Sequence, residues 1–169
     1  FNNQSQKLPT FLTFPPGSSP LFSKSNFFHR NAIKYLHRRG LTAIDIERYN
    51  IHYCNEGLFE NRIIIPSYDS NNRLNNFNAR LSIGYDFPKY REAGVDKGNL
   101  IGFEQFINFN HPVILVEGMF DAMAVKHNAI PLFGTYLLDR LKQRLLENKK
   151  IVYICLDGEA IEHALHIAE

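Results

Sequence analysis

Two short apolar segments in the last third of the chain each run straight into an acid. Val113-Ile114-Leu115-Val116 ends at Glu117, and Ile151 to Leu156 ends at Asp157. Helical patterns lie around them. One covers about Phe120 to His127. A second runs from Tyr136 to about Lys149, with Leu137, Leu138, Leu141, Leu145 and Leu146 on one side. Ile130 to Gly134 reads as a further short strand, and Glu159 to Glu169 as a final helix. Continuous apolar strands alternating with helices indicate a parallel sheet covered on both faces. Residues 110–169 are therefore expected to form an α/β unit of Rossmann-like build.

The acids sit where such sheets do chemistry. In open α/β sheets, ligands bind beyond the carboxyl ends of the strands. Asp121 follows Glu117 by four residues, and Glu159 follows Asp157 by two. If the two strands are neighbours, four carboxylates converge on one sheet edge. Carboxylates held together repel one another, and a divalent cation removes that cost. Oxygen ligands suit Mg²⁺, which keeps several waters and also takes substrate phosphates. Such an ion polarises phosphoryl oxygens, so the pattern points toward phosphoryl transfer on nucleotides or nucleic acid. The simpler account is that each acid caps a helix and faces its positive dipole end.

The first two-thirds of the chain follow different rules. Residues 1–26 read as a linker, broken by Pro9, Pro15, Pro16, Gly17 and Pro20, with Phe11, Leu12, Phe14, Leu21 and Phe22 available to pin it to a neighbour. Residues 27–109 read as a smaller α+β subdomain. A helix is expected from about Phe28 to Arg39, stopped by Gly40. Thr42 then acts as an N-cap with Asp45 as its capping-box partner, opening a short helix to about Tyr49. Arg62-Ile63-Ile64-Ile65 is a buried strand ended by Pro66. Asp69 to Asn72 is a turn, and Leu74 to Leu81 is the return strand of a hairpin. Gly84 to Gly98 reads as loop.

Composition removes several classes. The chain has 44% hydrophobic and 21% charged residues, which excludes wholesale disorder. No apolar run reaches the roughly 20 residues of a membrane helix. With 19 basic and 17 acidic residues, net charge alone argues for no nucleic-acid partner. Cys54 and Cys155 are far apart, so a disulfide scaffold and a four-cysteine zinc site are excluded and a reduced, cytoplasmic setting is expected. The chain begins at Phe1 without the build of a signal peptide, so a piece of a longer chain is expected.

The segment Ile114 to Ala122 resembles the Glu-Gly-x-x-Asp motif of TOPRIM domains, found in DnaG-type primases, topoisomerases and some nucleases. Ile154-Cys155-Leu156-Asp157-Gly158-Glu159 resembles that fold's Asp-x-Asp motif, with Glu in place of the second Asp. Ile130 to Thr135 is similar to the Leu-Gly-Thr segment between them. Upstream motifs select DnaG-type bacterial and phage primases. Tyr35-Leu36-His37-Arg38-Arg39-Gly40-Leu41 resembles their N-terminal helix, and Arg62 to Asp69 their Arg-Ile-x-Phe-Pro strand. Asn78-Ala79-Arg80 stands where the family has Gly-Gly-Arg. Pro88-Lys89-Tyr90 matches Pro-Lys-Tyr, and Lys97 to Gly102 resembles the Lys-then-Leu-Tyr-Gly segment. The similarity runs in order from about Phe28 to the C-terminus.

The resemblance implies a primase catalytic core: a truncated TOPRIM sheet behind the α+β subdomain. It would make RNA primers on single-stranded DNA by nucleotidyl transfer from ribonucleoside triphosphates. It implies catalytic roles for Glu117, Asp121, Asp157 and Glu159. Mg²⁺ or Mn²⁺ would be held by Glu117, Asp157 and Glu159. Arg80, Lys89 and Lys97 would line a basic face for template and nucleotide, with Tyr90 stacking on a base. Arg62 either serves that face or pairs with an acid inside the strand. Arg38 and Arg39 read as dipole partners at a helix end rather than template contacts. A replicative helicase is the implied partner, and Asp-x-Glu suggests a phage-type enzyme in a bacterial host cytoplasm. The family's zinc-binding module, a further acidic motif and a helical subdomain are absent from the pattern. A TOPRIM nuclease, and a non-catalytic nucleic-acid-binding or replisome module with a decayed site, stay open as alternatives.

Overall fold

The computed structural model describes residues 12–82, 84 and 88–169. Phe11 and Tyr85, and part of the expected loop from Gly84 to Gly98, lie outside the described residues. Two sheets organise the rest. The first has five strands in the order β1 (Ser18–Pro20), β2 (His52–Cys54), β3 (Arg62–Tyr68), β4 (Leu74–Leu81) and β5 (Tyr90–Glu92), all antiparallel. The second is parallel, with β6 (Val113–Val116) between β7 (Ala129–Pro131) and β8 (Val152–Cys155). Among the described residues, no helix is long and apolar enough to cross a membrane.

Helix α1 (Phe27–Arg38) starts where the Asn26 side chain accepts the His29 amide at 2.9 Å. It stops at Gly40, whose φ of +81° is the left-handed turn that suits glycine. Helix α2 (Ala43–Arg48) carries the expected capping box: Thr42 Oγ1 accepts the Asp45 amide, and Asp45 Oδ2 accepts the Thr42 amide. The Lys126 ammonium also donates to Asp45 at 2.8 Å across 81 residues of chain. Burial alone would raise the Asp45 carboxyl. Lys126 and the Thr42 amide and hydroxyl override that and hold it at about 2.

Four features depart from the sequence expectations. The segment read as linker contributes β1, and Leu21 behind it is buried in the core. Phe14 stacks on His52 with ring centroids 4.0 Å apart. Strand β2 had no signal of its own; three residues are too few to show a period. Strand β3 runs on through Pro66 to Tyr68. The β2 ladder ends at Ile64, so Pro66 has a single strand partner, and a proline is tolerated on such an edge. Tyr90–Glu92, expected as loop, pairs with Asn78 to Arg80.

One buried cluster joins the two sheets. Ile63 and Ile65 of β3 pack with Ala32 and Leu36 of α1. The same cluster holds Val116 and the helix α3 (Met119–Val125) residues Met119, Ala122 and Met123. A second cluster packs Leu115 and Ile130 against Leu141 of α4 (Asp139–Asn148). The last helix, α5 (Ile161–Ala168), follows a tight turn at Gly158–Ala160.

Candidate functional site

Strands β6 and β8 are neighbours in register, with Val116 opposite Cys155. The acids that follow them therefore leave the same sheet edge. Glu117 Oε1 accepts the backbone amide of Asp157 at 3.0 Å, which ties the two strand ends together. The loop after β7 lies alongside, with the Gly134 amide donating to the Glu117 carbonyl at 3.4 Å. These elements form one wall of a cleft of about 460 Å³. The opposite wall is the helix-facing side of the antiparallel sheet, where Ile65, Asn78 and Glu92 stand side by side across β3, β4 and β5. Tyr90 and Arg39 complete it. A larger hollow of about 670 Å³ between α4, α5 and β8 holds none of the four acids.

The four acids do not play equal parts. Glu117, Asp121 and Asp157 all line the cleft; Glu159 does not. Among the described residues, no three His, Cys, Asp or Glu side chains are grouped to hold one metal ion. Of the expected set Glu117, Asp157 and Glu159, the first two line the cleft. The turn that closes with the Ala160 amide on the Asp157 carbonyl at 2.8 Å carries Glu159 past the strand end. Asp121 Oδ2 accepts the Gly118 amide at 3.0 Å, so this carboxylate caps its own helix, as the simpler account held. Glu117 and Asp157 remain as hard oxygen donors facing one space. That fits an ion such as Mg²⁺, which takes one or two carboxylates and fills its other positions with water and phosphate.

The basic residues also divide. Arg80 is only 8% exposed, with its guanidinium between the rings of Tyr90 (4.6 Å) and Tyr35 (5.5 Å). Arg62 is fully buried, donates to the Lys89 carbonyl at 3.4 Å and does not line the cleft. Lys89 is exposed outside it. Lys97 bonds Glu92 at 2.7 Å and the Phe133 carbonyl at 3.4 Å, so it braces the cleft wall. Arg39, read from sequence as a dipole partner, stands in the cleft. Its Cζ lies 4.5 Å over Phe120 and its Nε donates to the Tyr35 hydroxyl at 3.2 Å. That hydrogen bond, with the nearby Asp121 charge, raises its pKa despite partial desolvation. Among the other tyrosines, Tyr53 is buried in the core, Tyr35 packs against it and Tyr68 accepts from Asn50. His163 meets the ring of Tyr136 edge-on.

An antiparallel α+β layer is thus joined to a parallel α/β sheet, with acids at the parallel strand ends lining the cleft at the junction. The chain has the fold of the DnaG primase catalytic core and resembles bacterial DNA primases in sequence. It is 29% identical to a DNA primase of Rickettsia felis, over 89% of this chain and 27% of that protein. It is 31% identical to a DNA primase of Halalkalibacterium halodurans, over 60% of this chain and 19% of that protein. A solved DnaG primase catalytic domain bound to single-stranded DNA superposes with a TM-score of 0.70 at 22% identity. That match covers 85% of this chain and 61% of the other. The chain spans less than a third of the length of the curated relatives it matches. No family model matches it.

Proposed function

We propose that this chain is the catalytic core of a DNA primase, which makes RNA primers on single-stranded DNA. The observation that supports this best is the Glu117–Asp157 pair at the sheet edge, facing a cleft whose far wall carries Tyr90 and Arg39. In the reaction, a 3′-hydroxyl forms a bond to the α-phosphorus of a ribonucleoside triphosphate, and the bond to the leaving pyrophosphate breaks. Glu117 would accept the hydroxyl proton or contact a bound metal ion, and Asp157 would hold that ion. A bound Mg²⁺ or Mn²⁺ would offset charge on the transferring phosphoryl group. Arg39 and Arg80 balance phosphate charge, and Tyr90 offers a ring face to a base. Lys89 contributes from the cleft's outer side. Asp121 positions α3, and Lys97 holds Glu92. Arg62 supports the strand from inside.

The reading extends to a replicative helicase as partner and a phage-type enzyme in the bacterial cytoplasm, on resemblance alone. Residues 27–109 and 110–169 serve as its two subdomains. The test uses the full-length protein with a single-stranded template, ribonucleotides and Mg²⁺ or Mn²⁺. Glu117→Gln and Asp157→Asn are each expected to lower incorporation about 100-fold or more, with oligonucleotide affinity nearly unchanged. Incorporation that survives both changes overturns the reading. The position of Glu159 outside the cleft favours one alternative, a non-catalytic nucleic-acid-binding module. It predicts binding that is salt-sensitive but indifferent to metal and to Glu117→Gln.

A further inference from the structure

We propose that Asn78 is a specificity-determining residue: its carboxamide reads the hydrogen-bonding edge of a nucleobase stacked on Tyr90. The proposal rests on the primase reading. Asn78 and Arg80 alternate onto the same face of β4, the face that packs toward α1 and α3. Asn78 lines the cleft, with Ile65 on one side and Glu92 on the other. Its Oδ1 is buried yet has no hydrogen-bond partner among the described residues. Buried polar atoms are rarely left so, because each forgoes water without a replacement. Nε and Nη1 of Arg80, a side chain more than nine-tenths buried, likewise find no acceptor among the described residues.

Tyr90 pairs directly with Arg80, so Asn78 occupies the diagonal position to it. Diagonal positions on antiparallel strands lie about 7–8 Å apart. One face of the Tyr90 ring is covered by Arg80 at 4.6 Å, while the residue is 39% exposed overall. A base laid on the uncovered part of that ring presents its polar edge to Asn78. A carboxamide supplies one donor group and one acceptor, which is what a base edge requires. Arg80 carries the positive charge for the phosphate beside it. Glycine, which the resembled motif has at this place, offers no such group.

The base belongs either to the incoming ribonucleotide or to the DNA strand, and two binding arms separate these sources. Full-length protein, wild type and Asn78→Ala, is titrated with dA, dC, dG and dT homo-oligonucleotides. In parallel it is titrated with the four ribonucleoside triphosphates. Asn78→Ser, which keeps a hydrogen-bonding group, is run beside them, and thermal midpoints check folding. Wild type is expected to prefer one base by about tenfold in one arm. Asn78→Ala is expected to erase that preference while leaving mean affinity and its salt dependence intact. Loss in the oligonucleotide arm assigns the base to the strand; loss in the triphosphate arm assigns it to the incoming nucleotide. A wild type without preference in either arm, or a preference that Asn78→Ala retains, overturns the proposal while primer synthesis still stands. Failure of the wild type to bind in both arms overturns the primase reading with it.

Discussion

The two sheets are held very differently. In the antiparallel sheet, β3 lies between β2 and β4 and is buried along six of its seven residues. In the parallel sheet, β8 pairs only with β6 among the described residues, and its side chains alternate between half-buried and exposed. The candidate site draws both of its acids from the parallel sheet, but from strands that are held unequally. Glu117 grows out of β6, the central parallel strand, where Val113, Leu115 and Val116 are buried. Asp157 grows out of β8. The difference teaches that the Glu117 half of the site is set by core packing. The Asp157 half depends on its single ladder and on the hydrogen bond to Glu117.

Truncation inside each sheet tests this most strongly. Ile64 is fully buried between Cys54, Phe77 and Ala79. Ile64→Ala is expected to lower unfolding free energy by about 2–5 kcal/mol. Tyr153 on β8 is half exposed, and Tyr153→Ala is expected to cost less than about 1 kcal/mol. Urea unfolding followed by circular dichroism measures both. Equal losses would remove the contrast.

The junction between the sheets gives the next largest effect. Gly102 lies so close to β7 that an added Cβ would sit 2.6 Å from Pro131 Cγ and 2.7 Å from the Pro131 carbonyl. Backbone cannot yield as a flexible side chain can. Gly102→Ala is therefore expected to destabilise by about 1–3 kcal/mol through overpacking. Because β7 flanks β6, the same change is expected to lower activity through Glu117 as well. Stability equal to wild type in the same urea experiment would show that the sheets slide past one another freely.

What could be read in advance follows the same division. The apolar runs of β6 and β8 and their terminal acids were legible; β6 is continuous in sequence because it is central and largely buried, whereas β8 alternates between half-buried and exposed and so is not covered on both faces as expected. The α1 and α2 caps were legible because Asn26 apart, their signals (Gly40, Thr42 and Asp45) act within a few residues. Strands β1, β2 and β5 have three residues each and owe their existence to partners distant in sequence. Arg39 shows the limit best. A basic residue at a helix end looks the same whether it faces solvent or a cleft, and only the packing of α1 beside Phe120 decides. Lys97 shows the converse: a lysine in a resembled motif whose charge is taken up by Glu92. Spacing alone does not reveal the turn after Asp157, which leaves Glu159 outside the cleft lining.

The smallest effect concerns protons, and it belongs to the antiparallel side. His52 stacks against Phe14, and Asn50 is its only side-chain hydrogen-bond partner among the described residues, at 3.2 Å. Burial lowers its pKa from the ordinary 6.5. His29, buried beneath Tyr53, is lowered by burial first and by the Lys24 charge second. In both cases the unfolded chain binds the proton more readily than the folded one. Stability is then greatest above about pH 6.5 and declines as pH falls from there through the lowered folded values. Asp45 acts in a separate window: its folded value of about 2 lies below the ordinary 3.8, so its contribution is present above about pH 4 and is lost toward pH 2. Urea midpoints measured from pH 8 to pH 5 are expected to fall for the wild type. His52→Gln, which cannot titrate, is expected to reduce that slope even if it is less stable at pH 7. An unchanged slope would remove His52 from the account and leave His29 to carry it.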